Sequence, residues 1–198
     1  PGGYVAAIRA AQLGMKTACV EKWTGADGSQ ALGGTCLNVG CIPSKALLES
    51  SELFATARNH FAAHGISTGG APTIDIPTMM GRKDKVVDSL VSGVAMLMNK
   101  NKVTVFSGRG EVVGPKRVAV HGSEGSQEIG AENIVLAMGS TAVELPFMPF
   151  DGDRVVSSTE AAVSAVKPMV DGRMRRAMIF SRPSKAPPQM KRMFRVLT

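Results

Sequence analysis

At Lys102 the hydrophobic pattern of this chain changes period. Up to that point apolar residues recur at helical spacing; beyond it they fall in short alternating runs between glycines. "VTVFSG", "GRGEVVG", "RVAVHG" and "NIVLAMGS" predict short strands joined by glycine turns. Upstream, "GYVAAIRAAQL" predicts an Ala-rich helix over Gly3 to Leu13, with Val5, Ile8 and Gln12 near helical spacing and Gly14 as its stop. "KTACVE" then predicts a short apolar strand closing on Glu21. Ser44 to His64 predicts a helix with Leu47, Leu48, Phe54 and Phe61 as apolar contacts. Gly65 to Pro77 is a connector, and Lys83 to Lys100 predicts a second long helix carrying Val86, Val87, Leu90, Val94 and Leu97. Helix, strand, long helices and then strands suit an α/β domain, a partly parallel sheet with an antiparallel insertion. The chain carries no internal repeat.

Its 198 residues suffice for one domain or one and a half. No run approaches the eighteen or so apolar residues of a membrane helix, so no membrane partner is expected. The formal charge of +7 raises the question of nucleic acid or an anionic surface. Its distribution argues against both. Nine basic residues lie from Lys167 onward with one acid, Asp171, leaving 14 of the 23 basic and 15 of the 16 acidic residues before it, a net of −1. The basic, Pro-containing stretch 167–198 has little periodicity and is expected to be disordered.

Three cysteines are too few for a disulfide scaffold. Two of them, Cys36 and Cys41, lie in "GGTCLNVGCIPSK". Five positions along a regular helix amount to about 140° of net rotation and roughly 7.5 Å of rise, whereas a disulfide needs Cα atoms roughly 4.4–6.8 Å apart. Gly40 frees the backbone just before Cys41, and Pro43 suits the first turn of a following helix. The pair is therefore expected on an irregular turn at a helix N-terminus. Unpaired amides there, and Lys45 one turn on, favour a thiolate able to exchange with a disulfide substrate. Two bland readings stand beside this one. Inert buried thiols are the default for an arbitrary pair. A zinc site would need two more ligands, and Cys19 lies on the predicted strand while His60, His64 and His121 lack metal spacing.

The stretch "GGTCLNVGCIPSK", followed by "ALL", resembles the redox segment of the flavin-dependent disulfide reductases, most closely that of the dihydrolipoamide dehydrogenases. Glutathione-type reductases carry a different residue pair before the lysine, and mercuric reductases favour valines around the cysteines. The resemblance extends over Pro1 to Thr159 through "PGGYVAAIRAAQLGMKTACVEK", "NKVTVFSGRGEV", "ELPFMPFDG" and "VVSST". It implies a Rossmann-like FAD-binding domain over 1–166, in which Cys36 and Cys41 form a redox-active disulfide. The thiol matching Cys36 exchanges with substrate and the one matching Cys41 lies nearer the flavin. Gly2 and Gly3 match the last glycines of a G-x-G-x-x-G turn, whose helix N-terminus faces a pyrophosphate. Glu21, 18 residues after Gly3 with Lys22 beside it, stands where a ribose hydroxyl needs an acceptor. Gly33, Gly34, Thr35 and Cys36 match the segment that wraps the cofactor, Lys45 the lysine near the flavin ring, and Gly110 a residue approaching the adenine. In "AMGS" the family usually has Ala-Thr-Gly-Ser; Met138 replaces the threonine, while Gly139 and Ser140 keep their backbone contacts. The loop Trp23 to Ala31 is about six residues longer than is usual in the family, and its misplacement would obstruct FAD.

The resemblance further implies NAD as final acceptor, the lipoyl group of a 2-oxoacid or acetoin dehydrogenase complex as partner, a homodimer whose second subunit supplies a histidine base, and a mitochondrial matrix or bacterial cytoplasmic location. Pro1 in place of Met, with a direct opening on Gly-Gly, leads us to expect that the true start and first strand are missing, that the chain is a fragment inactive alone, and that its strand edges aggregate. After Thr159, "KPMVDGRMRRAMIFSRPSK" stands where a second dinucleotide fingerprint is expected, which suits an altered reading frame, a damaged gene copy or a truncated gene model. The alternatives to a dihydrolipoamide dehydrogenase segment are a related flavin disulfide reductase and a non-catalytic module with a basic tail.

Overall fold

A computed structural model describes residues 1–25, 28–152, 155–163 and 181–183. Helix α1 (Gly2–Gln12) opens the chain and leads to strand β1 (Ala18–Glu21). A short helix α2 (Gly34–Asn38) is followed at once by α3 (Cys41–Asn59) and one turn of 3₁₀ helix (Phe61–His64). The long helix α4 (Ile76–Lys100) then delivers the chain to β2 (Thr104–Ser107). Strand β2 lies parallel to β1, with Ala18 opposite Thr104 and Glu21 opposite Ser107. Three strands follow as an antiparallel meander: β3 (Arg109–Gly114), β4 (Arg117–Gly122) and β5 (Gly125–Gly130). Strand β6 (Ser140–Ala142) pairs through its backbone with β7 (Ser181–Pro183), and α5 (Ser158–Val163) lies between them in sequence. The architecture is the expected mixed α/β one, a parallel pair with an antiparallel insertion. The remainder of the 167–198 stretch, and with it the expectation of disorder, lies outside the described residues.

Helix α4 begins about seven residues earlier than its apolar run suggests. Asp75 caps it, accepting from the Thr78 amide at 3.4 Å and the Thr78 hydroxyl at 2.7 Å, and Pro77 sits in the first turn, where its missing N–H costs nothing. The side chains it buries match the expected ones at Val94 and Val87 but not at Leu90 and Leu97. Met80, Lys83, Val94 and Met98 point inward, with Val87 and Val91 packed beside them, whereas Leu90 and Leu97 face solvent. Leu48 on α3 and Val5 on α1 are exposed likewise. The main core joins α1, α2, α4 and the parallel strands through Ala7, Leu32, Leu37, Val94, Met98 and Val103, with Cys19 packed against it. A second cluster, Leu47, Met79 and Met80, seats α3 on α4.

Two strand expectations change. "NIVLAMGS" forms no strand before Ser140, and Val135, Leu136 and Met138 are exposed. An apolar run becomes a strand only with a neighbour to take its hydrogen bonds, and no described strand flanks residues 133–139. Conversely, β5 was hidden in "GSQEIG", whose residues are nearly all exposed. It exists because β4 pairs with it throughout, from Arg117 opposite Gly130 to Gly122 opposite Gly125.

Lys83 is the one buried charged residue among those described. Its ammonium donates to the carbonyl of Ala162 at 2.6 Å, near the C-terminus of α5, and pairs with Asp84. The carboxylate and the helix end together offset the desolvation of the charge. Lys83→Met is therefore expected to leave a buried carbonyl without its donor. The cost is about 1–3 kcal/mol, read as a lower urea midpoint and faster amide exchange in 158–163; unchanged exchange there would contradict this link.

Candidate functional site

The cysteine pair is built by a bend between two helices. Cys36 lies in α2 and Cys41 opens α3, with Val39 and Gly40 between them. Gly40, the residue before α3, has φ −126° and ψ −110°. A Cβ built there would stand 2.9 Å from the Thr35 carbonyl oxygen and 3.2 Å from the Cα of Cys36. The bare backbone is what lets α3 start against α2. Pro43, among the most completely buried side chains of the fold, then anchors the first turn of α3. The expected irregular turn at a helix N-terminus is thus present.

Both sulfurs are free thiols, and Cys41 lies close enough to Cys36 to act on its protonation. Cys41 is exposed and Cys36 half-buried. The electrostatics of Cys36 differ from the expected thiolate. Its hydrogen bond to Cys41, then burial, then the charge of Cys41 raise its pKa above that of an ordinary thiol. A helix N-terminus favours a thiolate only where amides point at the sulfur, and here the neighbouring sulfur dominates. The raised pKa stabilises the fold below the unfolded thiol's pKa and ceases to do so as pH rises through the folded value. Alkylation of Cys36 by iodoacetamide is accordingly expected to rise with pH at a midpoint above that of an unstructured cysteine peptide. Cys41→Ala should move that midpoint down; a midpoint below the peptide's in the unaltered chain would contradict the assignment.

Lys45 is exposed in the first turn of α3 with no ion-pair partner among the described residues. Glu49, its i+4 neighbour, pairs instead with Arg82 of α4, which also donates to the Ala46 carbonyl at 3.1 Å.

Around the cysteines the structure gathers most of the other sequence-predicted positions. Gly33 and Gly34, at φ 114° and 68°, are both in left-handed conformations, which fits two glycines before Thr35. A Cβ on Gly34 would lie 3.4 Å from the nitrogen of Pro1, and one on Gly3 3.4 Å from the Cβ of Ala137. The Thr35 hydroxyl donates to the Ser140 carbonyl at 3.5 Å. The uncapped N-terminus of α1, the α2 segment and residues 137–140 therefore meet in one place. Helix α1 has no side-chain cap hydrogen bond at its N-terminus. Glu21 stands at the C-terminal end of β1, where ligands of parallel sheets bind. Gly110 lies where a Cβ would come within 3.3 Å of Val20, allowing β3 to cross close to that strand end. Lys22 and Met138 are exposed. Bare glycine amides at a helix N-terminus, with a carboxylate at the neighbouring strand end, are a donor set suited to a dinucleotide pyrophosphate and ribose.

Sequence reasoning did not single out Trp23 or Gln30. The Trp23 amide donates to the Glu21 carboxylate at 2.9 Å, and the long loop behind it folds back on itself. Cys19 is a separate thiol on β1, its pKa raised by burial and by Glu21. Among the described residues no group of three or more His, Cys, Asp or Glu is placed to hold a metal ion.

A bent dithiol beside a dinucleotide-type helix terminus defines a class. A sequence profile of the pyridine nucleotide-disulphide oxidoreductases matches residues 1–179, and the chain belongs to that family. Among curated relatives, dihydrolipoyl dehydrogenase of Trypanosoma brucei brucei is 51% identical over 81% of this chain and 33% of its own. Mitochondrial dihydrolipoyl dehydrogenase of Pisum sativum is 49% identical over 81% and 31%, and the Pseudomonas aeruginosa dihydrolipoyl dehydrogenase 51% over 81% and 33%. The chain thus spans about a third of the length of these relatives. Two solved structures share its fold. One is an HOCl-induced flavoprotein disulfide reductase of Escherichia coli in its Cu(II) complex, with a TM-score of 0.64 at 23% identity over 83% of this chain and 32% of that one. The other is LpdA of Mycobacterium tuberculosis, with a TM-score of 0.65 at 19% identity over 83% and 34%.

Proposed function

We propose that this chain is the FAD-binding, dithiol-bearing part of a dihydrolipoyl dehydrogenase, oxidising dihydrolipoamide with NAD. The observation that carries the reading is the Gly40 bend, which brings the two cysteines together where α2 meets the start of α1. The 46–51% identity to enzymes of that name supports the choice of substrate.

In the oxidised state Cys36 and Cys41 share a disulfide. One thiolate of dihydrolipoamide attacks the sulfur of Cys36; the Cys36–Cys41 bond breaks and Cys41 leaves as thiolate. The second lipoyl thiol then displaces Cys36 from the mixed disulfide, releasing the cyclic disulfide and leaving two protein sulfurs that carry the two electrons gained. The histidine base that takes the substrate's protons and the nicotinamide site belong to the rest of a homodimer. Gly2 and Gly3 at the start of α1 would hold the pyrophosphate, and Glu21 would accept from the ribose. Gly33, Gly34, Thr35, Gly139 and Ser140 would wrap the cofactor, with Gly110 toward its adenine and Lys22, Lys45 and Met138 along it. FAD, when bound, supplies the two-electron acceptor that returns the pair to the disulfide. The 1–166 span is one FAD-binding domain. The partner is the lipoyl group of a 2-oxoacid or acetoin dehydrogenase complex, and the location follows the source: the matrix for a eukaryote, as the pea relative's name indicates, or bacterial cytoplasm. No described helix is long and apolar enough to cross a membrane.

The test is direct. The purified chain is incubated with FAD, desalted and titrated anaerobically with dihydrolipoamide. Retained flavin that bleaches on dithiol addition is expected; a chain that keeps no flavin, or flavin indifferent to dithiol, would contradict the reading.

A further inference from the structure

The stretch between Glu21 and Gly33 follows the strand whose end carries the ribose-binding carboxylate, and its internal bonding is specific. Thr24 bridges to Gln30 in antiparallel fashion. The Ala31 amide donates to the Trp23 carbonyl at 3.0 Å, and the Gly25 amide to the Ser29 carbonyl at 2.7 Å. The described arms of the loop, 23–25 and 28–31, therefore pair with each other. The loop's two ends engage the sheet. The Trp23 amide donates to Oε1 of Glu21 at 2.9 Å. The side-chain amide of Gln30 carries two hydrogens and reaches two carbonyls, Phe106 at 3.4 Å and Glu21 at 3.5 Å, one on each strand of the parallel pair. The Glu21 carbonyl is held a second time by the Gly108 amide at 2.9 Å.

From this geometry we infer that the paired arms 23–25 and 28–31 are a positioning device for Glu21. Gln30 fastens the arms across the β1–β2 seam, and Trp23 fixes one carboxylate oxygen. Oε2, which has no hydrogen-bond partner among the described residues, is left to accept the adenosine ribose hydroxyl. A carboxylate with one oxygen tied to a mounted amide loses its rotamer freedom before the ligand arrives, so less is lost on binding. The longer loop then preorganises the residue that distinguishes a ribose from a deoxyribose. The inference rests on the dinucleotide reading of Glu21 proposed above.

Two ligands separate the possibilities: FAD, and its analogue lacking the adenosine 2′-hydroxyl. Dissociation constants for both are measured by flavin fluorescence on the full chain and on Gln30→Ala, Trp23→Pro and Glu21→Ala variants. The unaltered chain is expected to prefer FAD by about tenfold, the scale of one hydrogen bond to a charged group. Glu21→Ala should abolish the preference. Gln30→Ala, which loosens the mount, and Trp23→Pro, which removes the donor itself, should cut it to about threefold or less while changing affinity for the analogue less than about twofold. If both variants keep the full preference, or weaken both ligands equally, the paired arms are scaffold and the inference is overturned. If the unaltered chain binds FAD without preferring it, the ribose role of Glu21 fails. If it binds neither ligand, the dinucleotide reading fails, and this inference with it.

Discussion

A Cys41→Ser chain loaded with FAD is expected to lose dihydrolipoamide-driven flavin bleaching by about three orders of magnitude or more, the scale on which removal of a covalent participant is felt. The reason lies in the electron count. With Cys36 alone there is no protein disulfide for the dithiol to attack, so no bond breaks and no pair of electrons reaches the protein sulfurs. Cys36→Ser should fail equally, for it removes the sulfur that the substrate attacks. Cys19→Ser is the control: its thiol packs against the core on β1 and belongs to a different part of the fold, so bleaching should persist. Gly40→Val should approach the double-cysteine phenotype by a steric route. Its Cβ would sit 2.9 Å from the Thr35 oxygen and 3.2 Å from the Cys36 Cα, and backbone atoms cannot yield as a flexible side chain can. Anaerobic stopped-flow on the four variants checks this; a Gly40→Val chain that bleaches at the unaltered rate would show that the bend is not what pairs the sulfurs.

The second large effect is on the fold. Gly108 joins β2 to β3 at φ 143°, and a Cβ there would lie 2.5 Å from the His121 carbonyl oxygen and 2.8 Å from its carbon. That φ is reserved for glycine, and the obstructing atoms belong to the backbone of β4. Gly108→Ala is expected to cost about 3 kcal/mol, combining the strain of the dihedral with the displaced meander. Against a total of about 5–15 kcal/mol that is a large share of the stability of a domain. The loss should reach the end of β1, because the Gly108 amide holds the Glu21 carbonyl there. Urea unfolding followed by far-UV circular dichroism reads it; a midpoint within error of the unaltered chain would mean that β3 does not need its present seat.

The parts of this fold that the sequence made legible are those fixed by local rules. Two helices with clear apolar periods and a parallel strand ending at Glu21 follow from patterning. The dithiol bend follows from Gly40 and Pro43, because a glycine before a proline-bearing first turn can mean little else between two cysteines. What patterning could not see was decided by neighbours. Strand β5 is polar on both faces and owes its existence to the hydrogen bonds of β4. Residues 133–139 have the composition of a strand but no described strand beside them. Leu90 and Leu97 fit a helical stripe, yet the stripe that meets α1 is one position over, through Val87, Val91, Val94 and Met98. At the site, spacing located both sulfurs, but the protonation of Cys36 depends on the contact with Cys41, a distance no spacing encodes. Gln30 was invisible for the same reason, its partner Phe106 lying 76 positions away.

The central claim is that Cys36 and Cys41 form a reversible disulfide. The most direct measurement equilibrates the chain in lipoamide–dihydrolipoamide mixtures, quenches it in acid, alkylates the free thiols and weighs the peptides spanning 33–45. The account predicts a single two-electron transition in which Cys36 and Cys41 are protected together as a linked pair while Cys19 remains a free thiol throughout. Independent alkylation of Cys36 and Cys41 at every ratio, or a link from either of them to Cys19, would contradict it.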